Sequence, residues 1–146
     1  MLLDQIQNDL KQAQLDRNEA KVSTLRLLLS EISYTKISKG EELADSDIVS
    51  VVQKEVKKRR EAAAGFRQGG REDMAKKEED EAAVLASYLP VQLSDDELTK
   101  IVEDTINEMG AKSLSEMGKV ISAVMGKVAG KAEGARVSAL VKEKLS

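Results

Sequence analysis

Apolar residues recur along this chain at the spacing of helices, and no segment alternates with the period of a strand. Leu2, Leu3, Ile6, Leu10 and Ala13 give a first helix one apolar side, and the pattern loosens at Asp16-Arg17-Asn18, where Asn18 is placed to cap the next helix. Val22, Leu25, Leu28, Leu29 and Ile32 form the broad face of a second helix, expected to be the most hydrophobic and the most buried. It decays through Ser38-Lys39-Gly40. Asp45 or Ser46 then caps a third helix whose stripe runs Ile48, Val51, Val52, Val56, Ala62, Ala63 and Phe66 until Gly69-Gly70 stops it, a length of roughly 30 Å. A fourth helix from Glu72 carries Met74, Ala75, Ala82, Leu85 and Leu89. The Gly-Gly turn predicts that helices three and four form an antiparallel hairpin, with few apolar residues at its tip between Phe66 and Met74.

Pro90, the only proline, divides this pattern. Proline lacks a backbone donor and disfavours the helical region in the residue before it, so the fourth helix should stop at or just before Leu89. Ser94-Asp95-Asp96-Glu97 then has the form of a capping box, which predicts that a new helix starts there. Three shorter helices follow. The first shows Leu98, Ile101, Val102, Ile106 and Met109 and stops at Gly110. A second box, Ser113-Leu114-Ser115-Glu116, opens a helix with Met117, Val120, Ile121, Val124 and Val128; the last starts at Gly134 or Ala135 and shows Val137, Leu140, Val141 and Leu145. The expected fold is all-α in two helical subdomains: residues 1–90 as a bundle with a long hairpin, residues 91–146 as a smaller three-helix bundle.

Composition narrows the chemistry. Aromatic residues make up only 2% of the chain, so the core must be aliphatic. There is no cysteine and no histidine, which removes disulfides, thiolate metal sites, the commonest metal ligand and the commonest general base. No Ser-His, Cys-His or His-carboxylate pair can exist, and no catalytic residue, cofactor or metal is expected, although chemistry at Tyr34 or Tyr88 stays open. The first ten residues carry Asp4 and Asp9 without a basic leader, and no segment approaches a membrane span, so a cytoplasmic protein without membrane contact is expected.

The net charge of −3 is unevenly spread. From Gly110 onward Lys112, Lys119, Lys127, Lys131, Arg136, Lys142 and Lys144 oppose only Glu116, Glu133 and Glu143, an excess of +4. Such a segment can meet an anionic partner, or its lysines can simply keep a small lobe solvated. Within the sixth helix Gly118, Ser122, Gly126 and Gly130 recur every four residues. Glycine inside a helix costs about 1 kcal/mol relative to alanine, so the series needs a reason. Either another helix packs closely on this ridge, which spacing alone favours, or a partner backbone such as RNA lies along it with Lys119, Lys127 and Lys131 at its phosphates. The Gly-Lys pairs are not a nucleotide-binding loop, which needs a preceding strand. Lys57-Lys58-Arg59-Arg60 is the densest basic run; beside Glu55 and Glu61 it reads as a solvated face, with a secondary phosphate contact left open. Glu78-Glu79-Asp80-Glu81 point in different directions around a helix, which is poor geometry for a metal cage.

Five stretches, in this order and spacing, resemble the YqeY proteins of the GatB/YqeY family along nearly the whole chain. They are Thr24-Leu25-Arg26-Leu27-Leu28, the run from Gln53 to Glu61, the run from Tyr88 to Ser94, Met117-Gly118-Lys119-Val120, and Gly130-Lys131-Ala132-Glu133-Gly134 through Leu140 to Leu145. The resemblance implies two all-helical subdomains. It also implies similarity to the tail of the GatB component of the glutamine-dependent tRNA amidotransferase, which recognises the tRNA body while catalysis resides elsewhere in that enzyme. Family-level wording would be a carbon-nitrogen ligase with glutamine as amido donor, but this chain resembles only the tail. The implied function is a non-catalytic tRNA-associated module, with a protein adaptor or an accessory amidotransferase component as alternatives. Implied partners are tRNA or a tRNA-handling enzyme, an aminoacyl-tRNA synthetase or an amidotransferase. The residues carried over are Gly118, Lys119, Gly126, Gly130, Lys131 and Gly134 with the terminal run that includes Lys142; Lys127 and Arg136 join them on charge.

Overall fold

Local stop and start signals decide where each helix lies. The structure, a computed structural model that describes all residues 1–146, has seven α-helices, one 3-10 turn and no strand. They are α1 (Leu2–Leu15), α2 (Glu19–Lys39), α3 (Asp45–Gln68), α4 (Glu72–Ala86), α5 (Asp95–Met109), the 3-10 turn (Leu114–Glu116), α6 (Met117–Val128) and α7 (Gly134–Leu145). The fold class is therefore all-α, as expected. The chain divides into two compact units, Met1–Leu89 and Pro90–Ser146.

In the first unit the Asn18 side chain accepts the Lys21 amide at 3.2 Å and opens α2. Gly40 closes it at φ +76°, a conformation in which an L side chain would be strained. The start of α3 differs from expectation. The N-cap is Ala44 rather than Asp45 or Ser46, and the Asp47 carboxylate reaches back to the Ala44 amide at 2.8 Å. A carboxylate three residues into the helix satisfies that exposed donor, so the cap position itself needs no polar side chain. Lys39, at the end of α2, donates to the same Asp47 carboxylate at 2.9 Å and, with the Ala44 amide, holds it below the usual carboxylate range.

α3 and α4 form the expected antiparallel hairpin, and α1 and α2 pack against it. Ile6, Leu25, Leu28, Ile32, Ile48, Val52, Val56 and Leu85 are buried together, each such side chain contributing about 1.5–3 kcal/mol relative to exposure. Tyr88 closes this core. Its hydroxyl donates to Asp9 at 2.5 Å, and burial, reinforced by that carboxylate, pushes the phenol pKa up. That is a structural role. At the hairpin tip every residue from Ala64 to Met74 except Phe66 is exposed, and Arg67 binds Glu72 at 2.9–3.1 Å and Glu79 at 2.6 Å. α4 ends at Ala86, earlier than the apolar pattern through Leu89 suggested, and Tyr88 and Leu89 follow in turn conformation.

α2 departs most from its reading. Leu25, Leu28 and Ile32 are buried, but Leu27, Tyr34 and Ile37 on the opposite side are exposed by 52%, 67% and 76%. It is an apolar helix on two faces, not the most buried one.

The second unit wraps α5, α6 and α7 around Leu98, Val102, Val120, Val124, Val128, Val137 and Val141. The Ser94 hydroxyl accepts the Glu97 amide at 3.2 Å, the only half of that capping box that forms. The segment leading into the unit is tied down: the Leu93 amide donates to the Lys131 carbonyl at 2.8 Å, and the Gln92 amide group donates to the Gly130 carbonyl at 3.1 Å. The turn after α6 is thereby fixed against the start of the unit.

Candidate nucleic-acid interface

The glycine series resolves into two parts. Gly118, Ser122 and Gly126 lie on one exposed side of α6, and a Cβ placed on either glycine would meet nothing within 4 Å. The close helix packing that spacing favoured is not found at either glycine: α5 and α7 pack on the other side of α6, around Val120, Val124 and Val128. Gly130 does not belong to it. α6 ends at Val128, Ala129 and Gly130 take left-handed conformations at φ +47° and +87°, and Gly130 is buried in the turn with its carbonyl bonded to Gln92. Gly134 begins α7, where an added Cβ would come 3.9 Å from the Met125 methyl, an ordinary contact.

The cations divide as sharply. Lys127 is held inside the unit, its ammonium donating to Thr105 at 2.9 Å and to Glu108 at 2.7 Å on α5. Arg136 spans from α7 to the Leu93 carbonyl at 3.1 Å and to Asp95 at 2.8 Å. Lys144 binds Glu103 at 2.9 Å, and that hydrogen bond raises its pKa. These three cross-helix contacts hold the bundle. Lys119, Lys131 and Lys142 are exposed and make no side-chain hydrogen bond or ion pair. Lys119 is on the ridge side of α6, three residues before Ser122 and seven before Gly126. Lys112 is equally free, with only its amide engaged; its place in the positive C-terminal count was the sequence signal, but it was not singled out.

Glu116 lies near Lys119 and Lys112 but makes no ion pair with either. Its carboxylate accepts the Lys112 amide at 2.7 Å and the Ser113 amide at 3.2 Å, and these bonds lower its pKa, with the charges of Lys119 and Lys112 adding a smaller effect. The carboxylate thus serves as the cap of the 3-10 turn.

The basic run on α3 is engaged throughout. Lys58 lies 3.1 Å from buried Glu55, the Arg59 Nε lies 3.3 Å from Glu81 on α4, and Lys57 lies 4.0 Å from Glu61; Arg60 also makes a contact. The acidic run on α4 is split likewise, Glu79 toward Arg67 and Glu81 toward Arg59. No group of three or more carboxylates is placed to hold a metal.

The site and fold define an all-α chain of two helical units, the second of which exposes lysines without ion pairs on α6, the loops and α7, and an uncovered side of α6. The chain belongs to the Yqey-like protein family, whose model matches residues 3–145. It is 36% identical over 89 residues to an uncharacterized protein of Schizosaccharomyces pombe, covering 61% of this chain and 72% of that one. Against altered inheritance of mitochondria protein 41, mitochondrial, of Clavispora lusitaniae, identity is 33% over 113 residues, or 75% of this chain and 65% of that protein. The protein of the same name from Vanderwaltozyma polyspora is 30% identical over 111 residues, 73% of this chain and 60% of that one. The chain thus spans less than two thirds of the length of these two relatives. No helix is long and apolar enough to cross a membrane.

Proposed function

We propose that this chain is a non-catalytic, cytoplasmic RNA-binding module whose α5–α7 unit meets the phosphate backbone of tRNA. The observation that carries the reading is the presence of exposed lysines without intramolecular partners, Lys119, Lys131 and Lys142 with Lys112, in the unit whose Gly118–Gly126 ridge is open. Unpaired ammonium groups exchange small counterions for phosphates at little structural cost, and a helix side lacking Cβ atoms admits a ribose-phosphate strand close to its backbone. Lys127 and Arg136, which the sequence groups with these, act by fixing the bundle. The basic run at Lys57–Arg60 contributes little, because binding phosphate there means giving up carboxylate partners.

The test is tRNA binding by the intact chain across a salt series. Affinity should fall steeply and linearly on logarithmic axes, with a slope of about −0.7 to −0.9 for each phosphate neutralised. Undetectable binding at low salt overturns the reading. Incubation with misacylated tRNA, glutamine and ATP should yield no amidated product from this chain.

A further inference from the structure

The outward side of α2 is an apolar surface that the RNA reading leaves unused. Leu27, Ser30, Tyr34 and Ile37 follow at helical spacing, on the side of α2 opposite its buried residues Leu25, Leu28 and Ile32. One of only three aromatic residues in the chain is therefore placed in solvent. Three depressions of about 640, 680 and 380 Å³ adjoin this strip, the first two lined from both α1 and α2 and the third from α2 alone. The first two share Gln14 and the last two share Leu29, so they adjoin as one shallow groove that starts at the seam of the two helices and ends on α2 alone. From Glu19 to Ile37 it follows α2 for about 27 Å. Its half-buried apolar lining is Leu10, Val22 and Leu29.

The charge along the groove selects an occupant. Lys11, Arg17 and Arg26 line it, are exposed and make no side-chain ion pair or hydrogen bond. Against these three cations the lining carries two carboxylates, Asp4, which faces the chain's amino terminus at 3.6 Å, and Glu19, which is exposed and also makes no ion pair, so positive charge is in excess by one. Leu27, Tyr34 and Ile37 are each more than half exposed, and an exposed apolar patch of about a few hundred Å² is the size that marks a functional surface on a monomer. A groove of this length, apolar in the middle and positive at its edges, matches a single helix of about 18 residues that carries apolar residues at i, i+3 and i+7 with carboxylates beside them.

We infer that the α1–α2 groove is a docking site for an acidic amphipathic helix of a partner protein, with Leu27, Tyr34 and Ile37 as the apolar seat and Lys11, Arg17 and Arg26 selecting its charge. The inference is independent of the RNA reading, since it uses other residues.

The probe is a fluorescein-labelled, 18-residue helical peptide with leucines at i, i+3, i+7 and i+10 and flanking glutamates, titrated with the intact chain by anisotropy. A second peptide has the same leucines and flanking lysines. The glutamate peptide should bind saturably, and at least tenfold more tightly than the lysine peptide. Leu27→Ser/Tyr34→Ser/Ile37→Ser, whose changes are all at exposed positions and whose helicity is checked by circular dichroism, should weaken binding tenfold or more. Arg17→Glu/Arg26→Glu should reverse the preference between peptides. Equal binding of the two peptides, no saturable binding of either, or an unchanged affinity in the serine variant overturns the proposal. So does concentration-dependent dimerisation that the serine variant abolishes, because the seat would then belong to a second copy of this chain.

Discussion

Four consecutive cations on α3 and three scattered lysines on α6, the following turn and α7 rank in opposite order by density and by availability. Lys57–Arg60 is the strongest positive run in the chain, yet its members lie against Glu61, Glu55 and Glu81 or make another contact. Lys119, Lys131 and Lys142 are far apart in sequence and make no side-chain hydrogen bond or ion pair. A phosphate arriving at α3 must compete with carboxylates already in place, whereas at the second set it displaces only water and salt ions. Counting charge along a chain measures the first quantity; binding depends on the second.

The sharpest way to break this contrast is to remove tied and free cations and compare the cost. Arg59→Ala should show the largest effect, about 1–3 kcal/mol in urea unfolding, because Arg59 and Glu81 are both mostly buried, at 14% and 18% side-chain exposure, and truncation strands the carboxylate between α3 and α4. The Arg59 Nε has no hydrogen bond despite the 3.3 Å approach, so charge rather than bond geometry carries the contact. Lys127→Ala should cost about 1 kcal/mol through loss of its Thr105 and Glu108 contacts, while Lys131→Ala should stay within about 0.5 kcal/mol of the parent. Equal losses for these two lysines would erase the distinction between tied and free.

The gentlest perturbation is acid. Glu116 has its folded-state pKa depressed below the ordinary 4.5, so its contribution to the 3-10 turn is present above that value and lost as pH falls through the lower, folded one. Protection of the Lys112 and Ser113 amides, their exchange measured relative to the intrinsic rate at each pH, should fall over that acid window in the parent. In Glu116→Gln the exchange should already be fast at neutral pH and show no such acid step.

How much of this was legible in the sequence follows from the range of each interaction. Asn18, Gly40, Gly69-Gly70, Ser94 and Gly110 announced helix ends because caps and left-handed turns act within a few residues. Even there, Asp47 supplied the α3 cap from inside the helix, so the boundary lay at a residue with no capping side chain. The partners of Lys127 and Arg136 are 19 and 41 residues away, and nothing local distinguishes these cations from Lys119 or Lys131. The bare ridge on α6 was visible as spacing, but its orientation toward open space is a property of packing. Likewise helical spacing placed Leu25, Leu28 and Ile32 on the inner face of α2, while only tertiary structure shows that nothing covers Leu27, Tyr34 and Ile37 on the other.

The central claim, that unpaired lysines of the α5–α7 unit carry tRNA binding, is tested most directly by two variants that lose the same charge. Lys119→Ala/Lys131→Ala/Lys142→Ala and Lys57→Ala/Lys58→Ala/Arg60→Ala each remove three cations, and each is titrated with tRNA at low and high salt after its helicity is confirmed. The first should weaken binding at low salt at least tenfold and make the salt slope shallower by about 2–3, while the second stays within about twofold of the parent. Equal weakening by both variants, or a loss confined to the α3 variant, would contradict it.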